Sequence, residues 1–144
     1  DLMFGKEARA LAVSELVDHV LAPFQDETCK IRIEGSPVPV PNKAISGLAM
    51  ALHELATNAV KHGALSVPAG GIDVSWHSTA DGTLELHWKE HGGPPVAKPE
   101  HVGFGTQLLR RGALPPPHRV ELCYLACGLE AYIHVAGDDL SPNQ

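Results

Sequence analysis

The sequence predicts an α/β domain in which helices cover one face of a mainly antiparallel sheet. Three observations predict it. Residues 42–62 carry a single apolar stripe at helical spacing. Two segments on either side of Ala80-Asp81-Gly82 alternate apolar and polar residues, the mark of a hairpin. A second alternating pair follows the prolines at 115–117. The chain has 144 residues, of which 44% are hydrophobic and 19% charged. That is enough for one core, and residues 1–144 are read as a single domain.

Element by element, Ser14 is placed to cap a short helix over SELVDHVLAPF, with Leu16, Val17, Val20 and Leu21 on its apolar side and Pro23 near its end. CKIRIEG alternates Ile31 and Ile33 with Lys30, Arg32 and Glu34, a half-buried strand. SPVPVP is excluded from a central strand, because proline supplies no ladder donor. Asn42 is placed to cap the long helix, which Gly63 stops. Ile45, Leu48, Leu52, Leu55 and Ala59 form its stripe. GIDVSWHS and TLELHWKE are paired strands. From His91 to Val102 the chain is rich in glycine and proline, a loop long enough to suggest function. GFGTQLLRRGAL reads as a third helix entered through glycines; HRVELCYLA and LEAYIHVA read as a last hairpin, and GDDLSPNQ as a frayed tail.

Composition excludes several functions. A formal charge of −6 is wrong for a broad nucleic-acid surface. No apolar run approaches the roughly 18–20 residues of a membrane span. The start, DLMFGKEARA, lacks the basic-then-apolar order of a signal peptide and has no initiator methionine, so the chain reads as part of a longer protein. Three cysteines do not make a disulfide scaffold and imply buried thiols in a reducing, cytoplasmic setting.

Glu54, Asn58 and Lys61 recur at i, i+4 and i+7, which puts them on one face of the long helix. A carboxylate, an amide oxygen and an ammonium in a row suit a metal-phosphate ligand. A solvated helix face explains the same spacing. Gly92-Gly93 and Gly103-Phe104-Gly105 allow close backbone approach, and a helix following Thr106 would offer free N–H groups to an anion. Two ordinary turns explain the glycines equally well.

Together, HELATNAVKHGALS, HWKEHGGPPV and GFGTQLL resemble the N, G1 and G2 boxes of a histidine kinase ATP-binding domain. More narrowly they resemble the HWE histidine kinases, marked by His53, Trp88 and Glu90. The likeness covers roughly residues 11–135 and implies the two-layer Bergerat (GHKL) sandwich, a mixed, mostly antiparallel sheet covered on one face by about three helices. It implies ATP and Mg²⁺ as ligands, with Asn58 on the metal and Glu54 as the catalytic carboxylate. Lys61 would meet phosphate and His62 would pack on adenine or ribose. Glu90 would take the adenine amino group, and Gly92 and Gly93 would let the backbone pass close to the base. Gly103, Gly105 and Thr106 would close on the phosphates.

The resemblance also implies a transferase in two-component signalling. Its partner would be an upstream dimerisation and phosphoacceptor domain of the same protein, with a response regulator reached indirectly through the phosphorelay. The chain has no phosphoacceptor histidine box, and Glu90 stands where most histidine kinases have aspartate. The loop between the glycine boxes is short, without a separate Phe-containing box. A same-fold serine kinase or ATPase, and a degenerate nucleotide-sensing or docking module, are the alternatives. No contact of this domain with membrane or nucleic acid is expected.

Other patterns point less far. His53-Glu54 begins a zinc-helix motif, but Thr57 occupies the second ligand position, so that motif fails. His53 is expected to pack or hydrogen-bond near the site. Cys123 and Cys127, four apart on a strand, are expected to be buried thiols. Trp76 and Trp88 are read as core aromatics, and Arg110-Arg111 as a solvated helix end.

Overall fold

A computed structural model describes residues 10–28, 30–95 and 114–137. Five strands form one sheet: β1 (Ile31–Gly35), β2 (Gly71–Ser78), β3 (Leu84–His91), β4 (Arg119–Leu125) and β5 (Gly128–Val135), in the order β1-β2-β3-β5-β4. β1 runs parallel to β2, with Ile31 opposite Ile72, and every other pair is antiparallel. The crossover from β1 to β2 contains the long helix, as a parallel pair requires. The predicted mixed, mostly antiparallel two-layer sandwich is therefore observed.

Two α-helices lie among the described residues, α1 (Val13–Leu21) and α2 (Ile45–His62). The third predicted helix, with Arg110 and Arg111, falls outside them. So do Cys29, the second half of the glycine- and proline-rich loop, and the tail. α1 starts one residue before Ser14. Its N-cap is Ala12, whose backbone N–H donates to the Glu15 carboxylate at 2.9 Å. The Ser14 expectation is thus corrected: the helix starts before it, and the first-turn carboxylate of Glu15 reaches back to the N–H of the N-cap residue. Asn42 likewise does not cap α2 directly; it opens a 3₁₀ turn, Asn42–Ala44, and Ala44 takes the cap position.

α2 buries Leu48, Leu52, Leu55 and Ala59, the predicted stripe, and adds Ala51 and Ala56 on either side; Ile45 is half-buried. Alanines at these places let the helix lie close to the sheet. The opposing sheet face is Ile72, Val74 and Trp76 from β2, Leu84, Leu86 and Trp88 from β3, and Ala131, Ile133 and Val135 from β5. Each set is spaced by two, so one face of every strand enters the core. Burying a side chain such as Leu52 contributes about 1.5–3 kcal/mol of transfer free energy.

The opposite sheet face is polar. His87 stacks on Tyr132 with centroids 4.5 Å apart, and both donate to Glu130, the tyrosine O–H at 2.8 Å and the imidazole Nε2 at 2.9 Å. Glu85 sits between His77 at 3.2 Å and His134 at 3.7 Å. The β2–β3 turn is fastened by Asp81, which accepts from the Thr79 hydroxyl and from Thr83 N–H, with Gly82 at φ +89°.

Two cysteine expectations are corrected. Cys123 is half-buried on β4, whereas Cys127 is exposed. β4 ends at Leu125, so Cys127 lies in the two-residue turn to β5 and the alternation that would have buried it no longer applies. No described helix is long and apolar enough to cross a membrane.

Candidate functional site

The candidate site gathers where α2 ends. Gly63 N–H closes on Ala59 O at 3.0 Å and terminates the helix. Ala64 then opens a short 3₁₀ turn, Ala64–Ser66. Its N–H points to the end of β3 and donates to Glu90 Oε1 at 3.0 Å. Glu90 Oε2 accepts from the indole Nε1–H of Trp88, also at 3.0 Å. Glu90 is only 3% exposed and Trp88 is fully buried. A buried carboxylate and a buried indole N–H each demand partners, and here each meets the other's demand.

The surrounding glycines exist because backbones touch. A Cβ on Gly63 would collide with Glu90 Oε1. One on Gly93 would lie 2.7 Å from Ala64 Cα. Gly128 leaves its missing side chain against the Glu90 carbonyl. Gly92 turns the chain after β3 at φ +71°, a conformation that favours glycine, and a Cβ there would collide with Ala69 O. Three segments therefore converge on Glu90, namely the α2 end, its own strand β3 and the start of β5, while the turn at 67–70 lies against Gly92. Lys30 Nζ donates to Val67 O at 2.7 Å and ties the turn at 67–70 to the strand layer.

Glu54 and Asn58 are half-buried on α2, and Lys61 and His62 are exposed at its C-terminal end. The helix geometry puts Glu54, Asn58 and Lys61 on one stripe, as the spacing predicts. The same helix delivers Gly63 and Ala64 to Glu90. Gly92 and Gly93 flank it, their missing side chains accommodating protein backbone. Gly103, Gly105 and Thr106 lie outside the described residues. His53 is exposed and meets Phe24 edge-on, with ring centroids 5.9 Å apart. Trp76 is a core aromatic as expected, and its indole donates to Ser36 O at 2.8 Å.

Sequence reasoning missed the second role of Trp88. It also missed Ala64, a backbone donor with no side-chain signature, and Gly128, which reads as a hairpin glycine. The signal for Trp88 was present: two residues apart on a strand means one face. Oxygen donors such as Glu54 and Asn58 are the chemistry Mg²⁺ takes, usually as one or two protein ligands beside phosphates and waters. Among the described residues no group of three or more His, Cys, Asp or Glu is arranged to hold a metal ion.

No family profile matches the chain. It is 36% identical over 136 residues to blue-light-activated histidine kinase 1 of Erythrobacter litoralis, a match over 92% of this chain and 38% of that protein. It is 34% identical over 113 residues to a blue-light-activated histidine kinase of Brucella anthropi, covering 76% of this chain and 23% of the relative. The chain thus spans well under half the length of these relatives. Among solved structures, the Erythrobacter litoralis EL346 blue-light activated histidine kinase superposes with a TM-score of 0.70 at 13% identity, over 90% of this chain and 42% of that one. The catalytic domain of histidine kinase ThkA superposes with a TM-score of 0.67 at 15% identity, over 90% of this chain and 95% of that domain. The mycobacterial sensor histidine kinase MprB gives 0.65 at 19% identity, over 90% and 99%. By its likeness to these relatives the chain belongs to the histidine kinases, and its fold is that of their catalytic domains.

Proposed function

We propose that this domain binds Mg-ATP and presents the γ-phosphate to a histidine on an upstream dimerisation domain of the same protein, as an HWE-type catalytic domain serving a cytoplasmic two-component relay. The observation that carries the reading is the buried Glu90 carboxylate, bonded to Ala64 N–H just beyond α2, the helix that also carries Glu54, Asn58 and Lys61. A carboxylate accepts hydrogen bonds and donates none, so it favours the adenine amino group over a carbonyl edge. Asn58, with its amide oxygen, would hold Mg²⁺, and Lys61 would pair with phosphate; the metal supplies charge neutralisation when bound. His62 would lie against adenine or ribose, and Gly103, Gly105 and Thr106 would close on the phosphates. Glu54 would orient the attacking group. The transfer forms a bond from imidazole nitrogen to phosphorus, breaks the bond to the ADP oxygen and releases the imidazole proton. Catalysis is then chiefly positioning. A response regulator would take the phosphoryl group onward.

The test uses the longer protein that carries the upstream domain. Asn58→Ala should abolish Mg-dependent phosphorylation of the acceptor histidine; phosphotransfer at the wild-type rate would overturn the metal assignment. A same-fold ATPase is the second reading, favoured by the half-buried carboxylate of Glu54 on the Asn58 stripe. Phosphate release by this chain alone, without an acceptor histidine, is its signature.

A further inference from the structure

We infer that Trp88 is the positioning residue for the base-reading carboxylate: its indole N–H, together with the Ala64 N–H, fixes the Glu90 side chain in the orientation that selects an amino-bearing purine. The inference rests on the reading of Glu90 as the group that faces adenine, and it names the device that sets the specificity of that same site.

Three observations carry it. The two bonds go to different oxygens, Ala64 N–H to Oε1 and Trp88 Nε1–H to Oε2, each at 3.0 Å. A carboxylate held at both ends by donors from two different segments cannot rotate about its terminal bond without breaking one of them. Each oxygen has two acceptor sites and spends one, so the carboxylate keeps capacity for a ligand N–H. Next, glutamate has one more rotatable bond than aspartate, and a longer side chain loses more rotamer freedom when it is fixed. Holding it before the ligand arrives moves that loss from binding to folding. Last, both donors are rigid. Trp88 is fully buried in the core between β2 and β5, where Val74 and Ala131 are its cross-strand neighbours, and Ala64 N–H is main chain at the end of α2. Gly63 and Gly128 leave room for the Glu90 carboxylate and its backbone, where a side chain at either position would collide.

The experiment measures binding of ATP and of inosine triphosphate, which replaces the amino group with a carbonyl, to this chain. Wild type, Glu90→Gln, Trp88→Phe and the double variant are compared, each first shown to unfold cooperatively. Trp88→Phe retains an aromatic ring and removes the donor. The expected result is that Trp88→Phe lowers the preference for ATP over inosine triphosphate about tenfold, the scale of one hydrogen bond to a charged group. Glu90→Gln should lower it further, and Trp88→Phe should add nothing in the Glu90→Gln background. Equal weakening of both nucleotides by Trp88→Phe, or additive effects in the double variant, would overturn the inference and leave Trp88 a packing residue. An unchanged preference in Glu90→Gln would instead overturn the reading of Glu90 and the inference with it. If Trp88→Phe does not fold, the indole N–H resonance of the wild-type chain decides. A shift with ATP but not with inosine triphosphate supports the clamp, and a resonance unmoved by ATP contradicts it.

Discussion

Trp88 and Glu90 stand two residues apart on β3, and the indole Nε1–H of the first donates to Oε2 of the second at 3.0 Å. The spacing is a strand rule: alternate residues share a face, and Lys89 between them faces the other way, in register with Glu130. Removing the carboxylate leaves two buried donors, Trp88 Nε1–H and Ala64 N–H, without their partner. Glu90→Ala should therefore cost about 2–6 kcal/mol of stability, at roughly 1–3 for each stranded group. Urea denaturation checks it, and a loss below about 0.5 kcal/mol would show that water satisfies both.

Gly63 and Gly82 separate two reasons for glycine. Gly63 has φ −116°, open to any residue, but a Cβ there meets the Glu90 carboxylate. Gly82 has φ +89° and open space around it. Gly63→Ala should destabilise by about 1–3 kcal/mol through crowding. Gly82→Ala should cost about 1–2 kcal/mol through backbone strain alone. Adding Glu90→Ala should relieve the first and leave the second unchanged, as thermal melts of the double variants would report.

The stripe on α2 makes a plainer claim. Leu52 is fully buried, whereas Met50, two residues earlier, is 44% exposed. Leu52→Ala should lose about 2–5 kcal/mol. Met50→Ala should stay within about 0.5 kcal/mol of wild type. Equal effects would mean that the helix is rotated from the orientation described.

Much of this was legible in the sequence, for identifiable reasons. The α2 stripe and both hairpins follow from periods of 3.6 and 2, and the residues of α2, β2, β3 and β5 bury as those periods require, whereas the edge strand β4 buries none fully. The parallel pairing of β1 with β2 is a tertiary choice, and alternation in IRIEG looks the same in either direction. Ser14 and Asn42 have the right chemistry for caps but stand beside, not at, the ends the backbone takes. Cys127 escaped the strand because β4 ends at Leu125 and the turn carries the cysteine outward. Within the site, the box residues on α2 and β3 were visible as letters. The Ala64 N–H bond to Glu90 was not, because it is made by backbone 26 positions away.

Acid should expose the network on the open sheet face. Tyr132 O–H, and then His87, hold the Glu130 carboxyl below its ordinary value. Folded Glu130 thus binds protons less readily than unfolded, so its contribution is complete above the ordinary carboxyl range and drains as pH falls through the lowered value. The same bond raises the Tyr132 hydroxyl above its usual 10.0, so the tyrosine's share is complete below that and is lost as pH rises through the raised value. Tyr132→Phe should be less stable than wild type at neutral pH, with the gap narrowing as Glu130 is protonated in acid. Paired urea melts at about pH 7 and about pH 3 would show it; a gap independent of pH would remove the Tyr132–Glu130 bond from the account.

The central claim is an adenine-selective Mg-ATP site built on α2 and the end of β3. Calorimetric titration of the chain with ATP, with and without Mg²⁺ and with GTP as the comparison, tests it most directly. The account predicts saturable ATP binding that Mg²⁺ strengthens and GTP does not reproduce. Absence of heat and of any thermal shift at millimolar ATP, or equal binding of GTP, would contradict it.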